Sequence, residues 1–224
     1  MRFTLSSNVS QPVRLILVLG CVVVLAGCES AYYGAMEKVG LHKRDILVDR
    51  VESAMDAQEA AKEQFASALE AFASVVDLKD TPLKEIYADL NDEFEKSESR
   101  ADAVRGRIDS VEDVSDDLFD EWRDELDEYS NDKLRRSSER QLKSTQSKYK
   151  SLMRSMRTAE SRMEPVLNAF RDQVLYLKHN LNAQAVASLK GELVSIESDV
   201  SRLIKEMESS ISRSRAFISH IENS

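Results

Sequence analysis

Residues 124–136 read DELDEYSNDKLRR, and within this stretch the chain changes sign. From Glu85 to Glu128 there are 18 acidic side chains against five basic ones. From Lys133 to Arg162 there are ten basic against two acidic. Between the blocks, Ser130-Asn131-Asp132 supplies mild turn chemistry. One straight helix would leave the blocks end to end. Folding back near residue 131 lays acid beside base. Each exposed pair contributes only about 0–1 kcal/mol, but the pattern selects which segments pair and in what orientation. The stretch therefore predicts a helical hairpin with its tip at residue 131.

Both arms of that hairpin carry heptads. On the first, Leu83, Tyr87, Leu90, Phe94, Ser97, Ala101, Val104, Ile108, Val111, Ser115, Leu118 and Trp122 recur at alternating spacings of four and three. Thr81 is placed as N-cap, with Pro82 at the first helical position. On the second arm the repeat is Leu142, Thr145, Tyr149, Leu152, Met156, Ala159, Met163, Val166 and Phe170. After a slip in phase it continues through Val174, Leu177 and Leu181. Pro165 lies inside this repeat and is expected to kink or break the helix.

Two further helices flank the hairpin. The first, over about 42–78, presents Val51, Met55, Phe65, Leu69, Phe72 and Val76, with Ala54, Ala61 and Ala68 beside them. Asn180 and Asn182 mark the next turn. The last helix reads Val186, Leu189, Leu193, Ile196, Val200, Leu203, Met207, Ile211, Ser214, Ile218 and Ile221. Gly and Pro are sparse, with six and three in the chain, as long helices require. Gly106 and Gly191 are candidates for close helix crossings. No alternating strand pattern competes. The fold class is all-α: an elongated antiparallel bundle or coiled coil of about four long helices, running up, down, up and down. At about 1.5 Å per residue the hairpin spans roughly 70 Å. Its tip, around residues 120–143, is expected to overshoot the outer helices. It carries Trp122 and Tyr129 and is a candidate contact surface.

The N-terminus reads differently. Residues 1–14 carry Arg2 and Arg14 and no acid, and the uncharged run LILVLGCVVV follows at 15–24. This is the pattern of a secretory signal, and it is short of the about 20 residues a membrane span needs. Leu25-Ala26-Gly27-Cys28 resembles the bacterial lipobox. That resemblance implies cleavage before Cys28 and acylation of its thiol, with several acyl chains making a durable anchor. The expected organisation is a lipoprotein signal peptide at 1–27, a lipidated tether at 28–40 and a bundle domain at 41–224. Cys21 leaves with the signal, so the mature chain has no disulfide. Glu29, where an Asp would retain such a protein in the inner membrane, favours the outer membrane facing the periplasm. The mature chain would carry 29 basic and 40 acidic groups. That balance argues against a nucleic-acid partner.

No catalytic motif is present: there is no phosphate loop, HExxH, CxxC or Gly-x-Ser-x-Gly. The histidines are His42, His179 and His220. No metal, cofactor or enzymatic activity is expected. Two stretches are denser than a solvated coil requires: GLHKRDILVDRVESA (Gly40 to Ala54) and YLKHNLNAQAVASL (Tyr176 to Leu189). In the first, His42, Lys43, Arg44, Asp45, Asp49 and Arg50 surround Ile46, Leu47 and Val51. This is a second candidate interaction surface. Asp45 and Asp49, at i and i+4, repel each other, and Arg44 or Arg50 is expected to offset that repulsion.

With the lipobox, these two stretches resemble the DUF2959 family of proteobacterial lipoproteins, over essentially the whole mature chain. The resemblance implies a helical, coiled-coil envelope protein and assigns no activity. The reading is a non-enzymatic structural or adaptor module, held to the membrane by its N-terminal lipid and bound to a protein partner in the envelope. The heptads can close within one chain or between chains, so a homo-oligomer is allowed. Two other readings stand beside it: an envelope hydrolase or metal-binding protein using a His/carboxylate cluster, and a membrane-associated coil that affects lipid or channel organisation.

Overall fold

A computed structural model describes residues 42–75, 82–180 and 183–223, with the side chains of 183–188 left out of the description. The chain divides into two units, Met1–Asp45 and Ile46–Ser224. Of the first, only the helix entry at 42–45 is described, where the Asp45 N–H donates to the His42 carbonyl over 2.9 Å. The fold is all-α, as the sequence predicts. There are four described helices: α1 (Lys43–Ser74), α2 (Leu83–Glu128), α3 (Asp132–His179) and α4 (Ala183–Glu222). No strand occurs among the described residues.

The hairpin turns where the charge changes sign. Tyr129 is the C-cap of α2 and Asn131 the N-cap of α3. The Asn131 side-chain oxygen accepts from the N–H groups of Lys133 and Leu134, at 3.0 and 3.2 Å. These bonds satisfy two of the donors that any helix start leaves open. Across the hairpin, Arg157 reaches Asp109 and Glu112, Arg171 reaches Glu98, and Arg105 reaches Glu164. The acidic α2 and basic α3 do pair, but with few direct bridges. Arg105–Glu164 runs opposite to the general pattern.

The heptads form the core. On α2 every repeat position from Leu90 to Leu118 is buried. Its first turn buries Ile86 instead of Leu83 or Tyr87. On α3 every repeat position from Leu142 to Leu177 is buried, and Leu181 lies outside the described residues. On α4 the stripe is wider than the repeat: Ser210 and Phe217 are buried as well as Ile211 and Ile218. Leu193 is only half-buried, and the Val186 side chain is not among those described.

The inner face of α1 departs furthest from expectation. Besides Ile46, the buried positions are Leu47, Val51, Ala54, Gln58, Ala61, Phe65, Ala68, Phe72 and, just past the helix end, Val75. They alternate by four and three residues without a slip. Met55 and Leu69 are half-buried beside this line, and Val76 lies outside the described residues. The physical reason is size. Small alanines alternate along the seam, and Phe65 and Phe72 bridge from it to α3. Phe72 stacks on Phe170 of α3 with ring centroids 4.5 Å apart, and Phe65 lies 6.5 Å from the same ring. On the other side Gln64 and Ser67 donate to Glu93 of α2.

Three local details correct the sequence reading. Pro82 is the N-cap of α2, not its first helical residue, and its carbonyl accepts from the Glu85 N–H over 2.9 Å. Thr81 lies outside the described residues. Pro165 does not break α3, which runs through it for 48 residues. Pro165 and Ser161, whose carbonyl loses its donor, are both exposed. The missing bond therefore faces water, where it costs least. Neither Gly106 nor Gly191 marks a close crossing, since a Cβ at either would meet nothing within 4 Å.

Candidate functional site

The sequence-predicted site residues fall into two groups, one at each end of the helices that carry them. His42, Lys43, Arg44, Asp45, Asp49 and Arg50 lie at the entry of α1. There Ile46, Leu47 and Val51 are buried, so the helix start is fixed by packing. Asp45 and Asp49 are exposed. In high dielectric the repulsion is small enough to be left to water. Cys28 lies outside the described residues.

The second group sits at the hairpin tip. Between Phe119 and Leu142 no residue is buried. Two helices alone cannot enclose side chains, so the core stops where the others cease to contribute. Trp122, the last heptad position on α2, is half-buried, and its Nε1–H donates to Ser138 Oγ of α3 over 2.8 Å. This polar bond ties the arms below the turn. Tyr129 is 40% exposed and Leu134 is 55% exposed. Glu125, Glu128 and Tyr129 line a cavity of about 320 Å³. Leu134 was missed in the sequence. The signal was there: it falls off the α3 heptad and so has no core position to occupy.

The bundle interior holds polar groups that the heptad reading passed over. Gln58 is fully buried, and neither amide atom has a partner among the described residues. Thr145 Oγ1 and Ser210 Oγ are in the same condition. Tyr149 is buried against Phe119 and Phe217. Burial pushes its phenol up to about 12, with a hydrogen bond to Ser115 pulling the other way. A phenol so placed does not ionise near neutrality and is a packing group. At the seam of α1 and α2, the Lys96 ammonium bonded to Glu93 holds that carboxyl below its usual value, against the opposing effect of burial. Around Arg157, burial disfavours the cation, yet Glu160, Glu112 and Asp109 hold it firmly protonated.

Among the described residues no group of three His, Cys, Asp or Glu side chains converges as a metal site would require. His42 and His179 are exposed and His220 is half-buried. No described helix is long and apolar enough to cross a membrane. In the second dense stretch, Tyr176 joins Asp172, Gln173, Glu192 and Ile196 around a cavity of about 440 Å³ between α3 and α4. Ser195 also lines it, beside the two carboxylates.

Comparison with known proteins gives one match. No curated protein and no solved structure matches the chain. The family model described as a protein of unknown function (DUF2959) matches residues 32–221. That span takes in all of α1, α2 and α3 and nearly all of α4, with both dense stretches, and the chain therefore belongs to the DUF2959 family.

Proposed function

We propose that this protein is a non-enzymatic envelope lipoprotein, anchored through Cys28, whose helical bundle acts as a structural or adaptor module facing the periplasm. The observation that carries this reading is the contrast along the α2–α3 hairpin. Its heptads are consumed by packing up to Phe119 and Leu142, and beyond them the tip is left bare with Trp122, Tyr129 and Leu134. The charges at the tip support a partner-facing role. Helix α2 ends on Glu125, Asp127 and Glu128, with no basic residue in its last turn. Acids there oppose the helix dipole, at a cost of about 0.3–1 kcal/mol each. Such a pattern does not serve the helix itself, and it suits a partner that presents cations. The lipobox and Glu29 support an anchored protein at the outer membrane.

A photo-crosslinking residue at Tyr129, read by mass spectrometry in living cells, tests the adaptor role. A discrete protein or peptidoglycan adduct, lost when the probe is moved to exposed Lys150, is the expected result. Adducts no different at the two positions would sink it. The anchor is tested separately by Cys28→Ala, which should release the protein from the membrane fraction.

A further inference from the structure

A different region of the bundle carries a binding site of recognisable chemistry. Between α3 and α4 lie two adjoining cavities of about 190 and 140 Å³ that share Ser151 and Arg213. Each is smaller than the roughly 300 Å³ at which drug-sized pockets begin, so even a ligand that spans both is small.

Three cations converge on this cleft: Arg154 and Arg213 on the first cavity, and Arg213 with Lys148 on the second. The chain has 40 acids against 31 bases. The arginines that bridge α2 and α3, namely Arg105, Arg157 and Arg171, each hold a carboxylate. The three cleft cations have no carboxylate partner among the described residues, and Arg213 instead donates to Ser151 Oγ over 2.9 Å.

The hydroxyls add to the donor excess. Because Ser151 Oγ accepts from Arg213, its own O–H is left to donate. Ser155 and Ser209 also line the first cavity, each with an O–H to give. Guanidinium groups and converging hydroxyls are the donor set that holds a phosphate group. One carboxylate, Glu206, also lines the first cavity, two helical turns before Arg213 on α4. It would repel a bare anion, but it accepts from an ammonium or hydroxyl group on the same ligand. Leu152 and Phe217, 1% and 2% exposed, give the second cavity an apolar wall.

Along α4 the order is thus carboxylate at Glu206, cation at Arg213 and aromatic wall at Phe217. We infer that this cleft binds a small phosphate ester, with its phosphate on Arg154 and Arg213, its hydroxyl or ammonium toward Glu206 and its aliphatic part along Phe217. A polar membrane lipid and a free sugar- or glycerol-type phosphate share that chemistry. The inference does not depend on acylation of Cys28 or on a partner at the tip.

The test is calorimetric titration of the full chain in detergent with glycerol 3-phosphate and, separately, with dihexanoyl phosphatidylglycerol. Saturable binding is expected, weakened at least tenfold in Arg154→Gln/Arg213→Gln. Both positions are exposed, so that variant should keep its helical circular dichroism and unfolding midpoint. Binding of the short-chain lipid at least tenfold tighter than glycerol 3-phosphate identifies a membrane lipid; comparable binding identifies a free ester. Glu206→Gln should weaken either ligand while leaving inorganic phosphate unchanged. No saturable binding of either probe, or binding that the double variant leaves intact, would overturn the assignment.

Discussion

The two ends of the α2–α3 hairpin are built from similar sequence and end in opposite conditions. Toward the open end, Phe94 and Phe170 lie inside. Phe65 and Phe72 of α1 reach the Phe170 ring, and Arg171 caps Phe94 at 5.4 Å while holding Glu98. Toward the turn, Trp122 is half-buried, Tyr129 and Leu134 are exposed, and an indole–serine bond links the arms. Apolar residues on a heptad become a core only where further helices arrive to cover them. Where none arrives, the same residues are surface, and a surface that persists at the end of a long hairpin is available to something else.

The largest effect should come from breaking the covered end. Phe170→Ala removes a fully buried ring that two others stack on, and should cost about 3–5 kcal/mol in denaturant unfolding. A loss below about 1 kcal/mol would mean that α1 is not held there. Next is the seam of α1. Gln58→Leu replaces two unpartnered buried polar atoms with hydrocarbon, and should gain about 1–3 kcal/mol. A loss of that size would indicate that Gln58 is paired in solution. At the bare end, Asn131→Ala removes both cap bonds and should cost about 1 kcal/mol, with amide exchange rising around residues 130–136 and not at Phe170.

Smaller still, Gly106→Ala lies on an exposed face with open space at its Cβ, and should raise stability by about 0.5–1 kcal/mol. The smallest effect is a pH dependence. The Glu93 carboxyl sits below its usual 4.5 because of Lys96, Gln64 and Ser67. Its stabilising contribution is therefore complete above that value and is lost as pH falls through the lower folded one. The stability gap between the native chain and Glu93→Gln should narrow on acidification from pH 6 to below 4.5.

Much of this architecture is legible in the residues. The sign change across Ser130 locates the turn because long-range charge complementarity survives in composition. The α2 and α3 stripes are legible because large apolar side chains repeat without interruption. The stripe of α1 is legible in part: Val51, Phe65 and Phe72 lie on it, while Ala54, Ala61 and Ala68 say little in a hydropathy pattern and Gln58 speaks against a core. Met55 and Leu69 therefore looked better than they are. The continuity of α3 through Pro165 could have been read, since Pro165 lies off the line of Met163, Val166 and Phe170. The α3–α4 cleft could not, because Arg154 and Ser155 become neighbours of Glu206 and Arg213, more than 50 residues along the chain, only once α3 and α4 are laid side by side.

The placement of Phe65 and Phe72 against Phe170 has a consequence for the order of assembly. Helices α2, α3 and α4 follow one another and pack backbone to backbone on α3, so their contacts close short loops and form quickly. The α1 rings wait for a partner about a hundred residues along the chain. Helix α1 is thus the last to dock and the first to leave, and a force applied at the N-terminus would peel it away before the remaining three helices felt strain. Amide exchange in α1 that outpaces exchange in the middle of α3 would record that order.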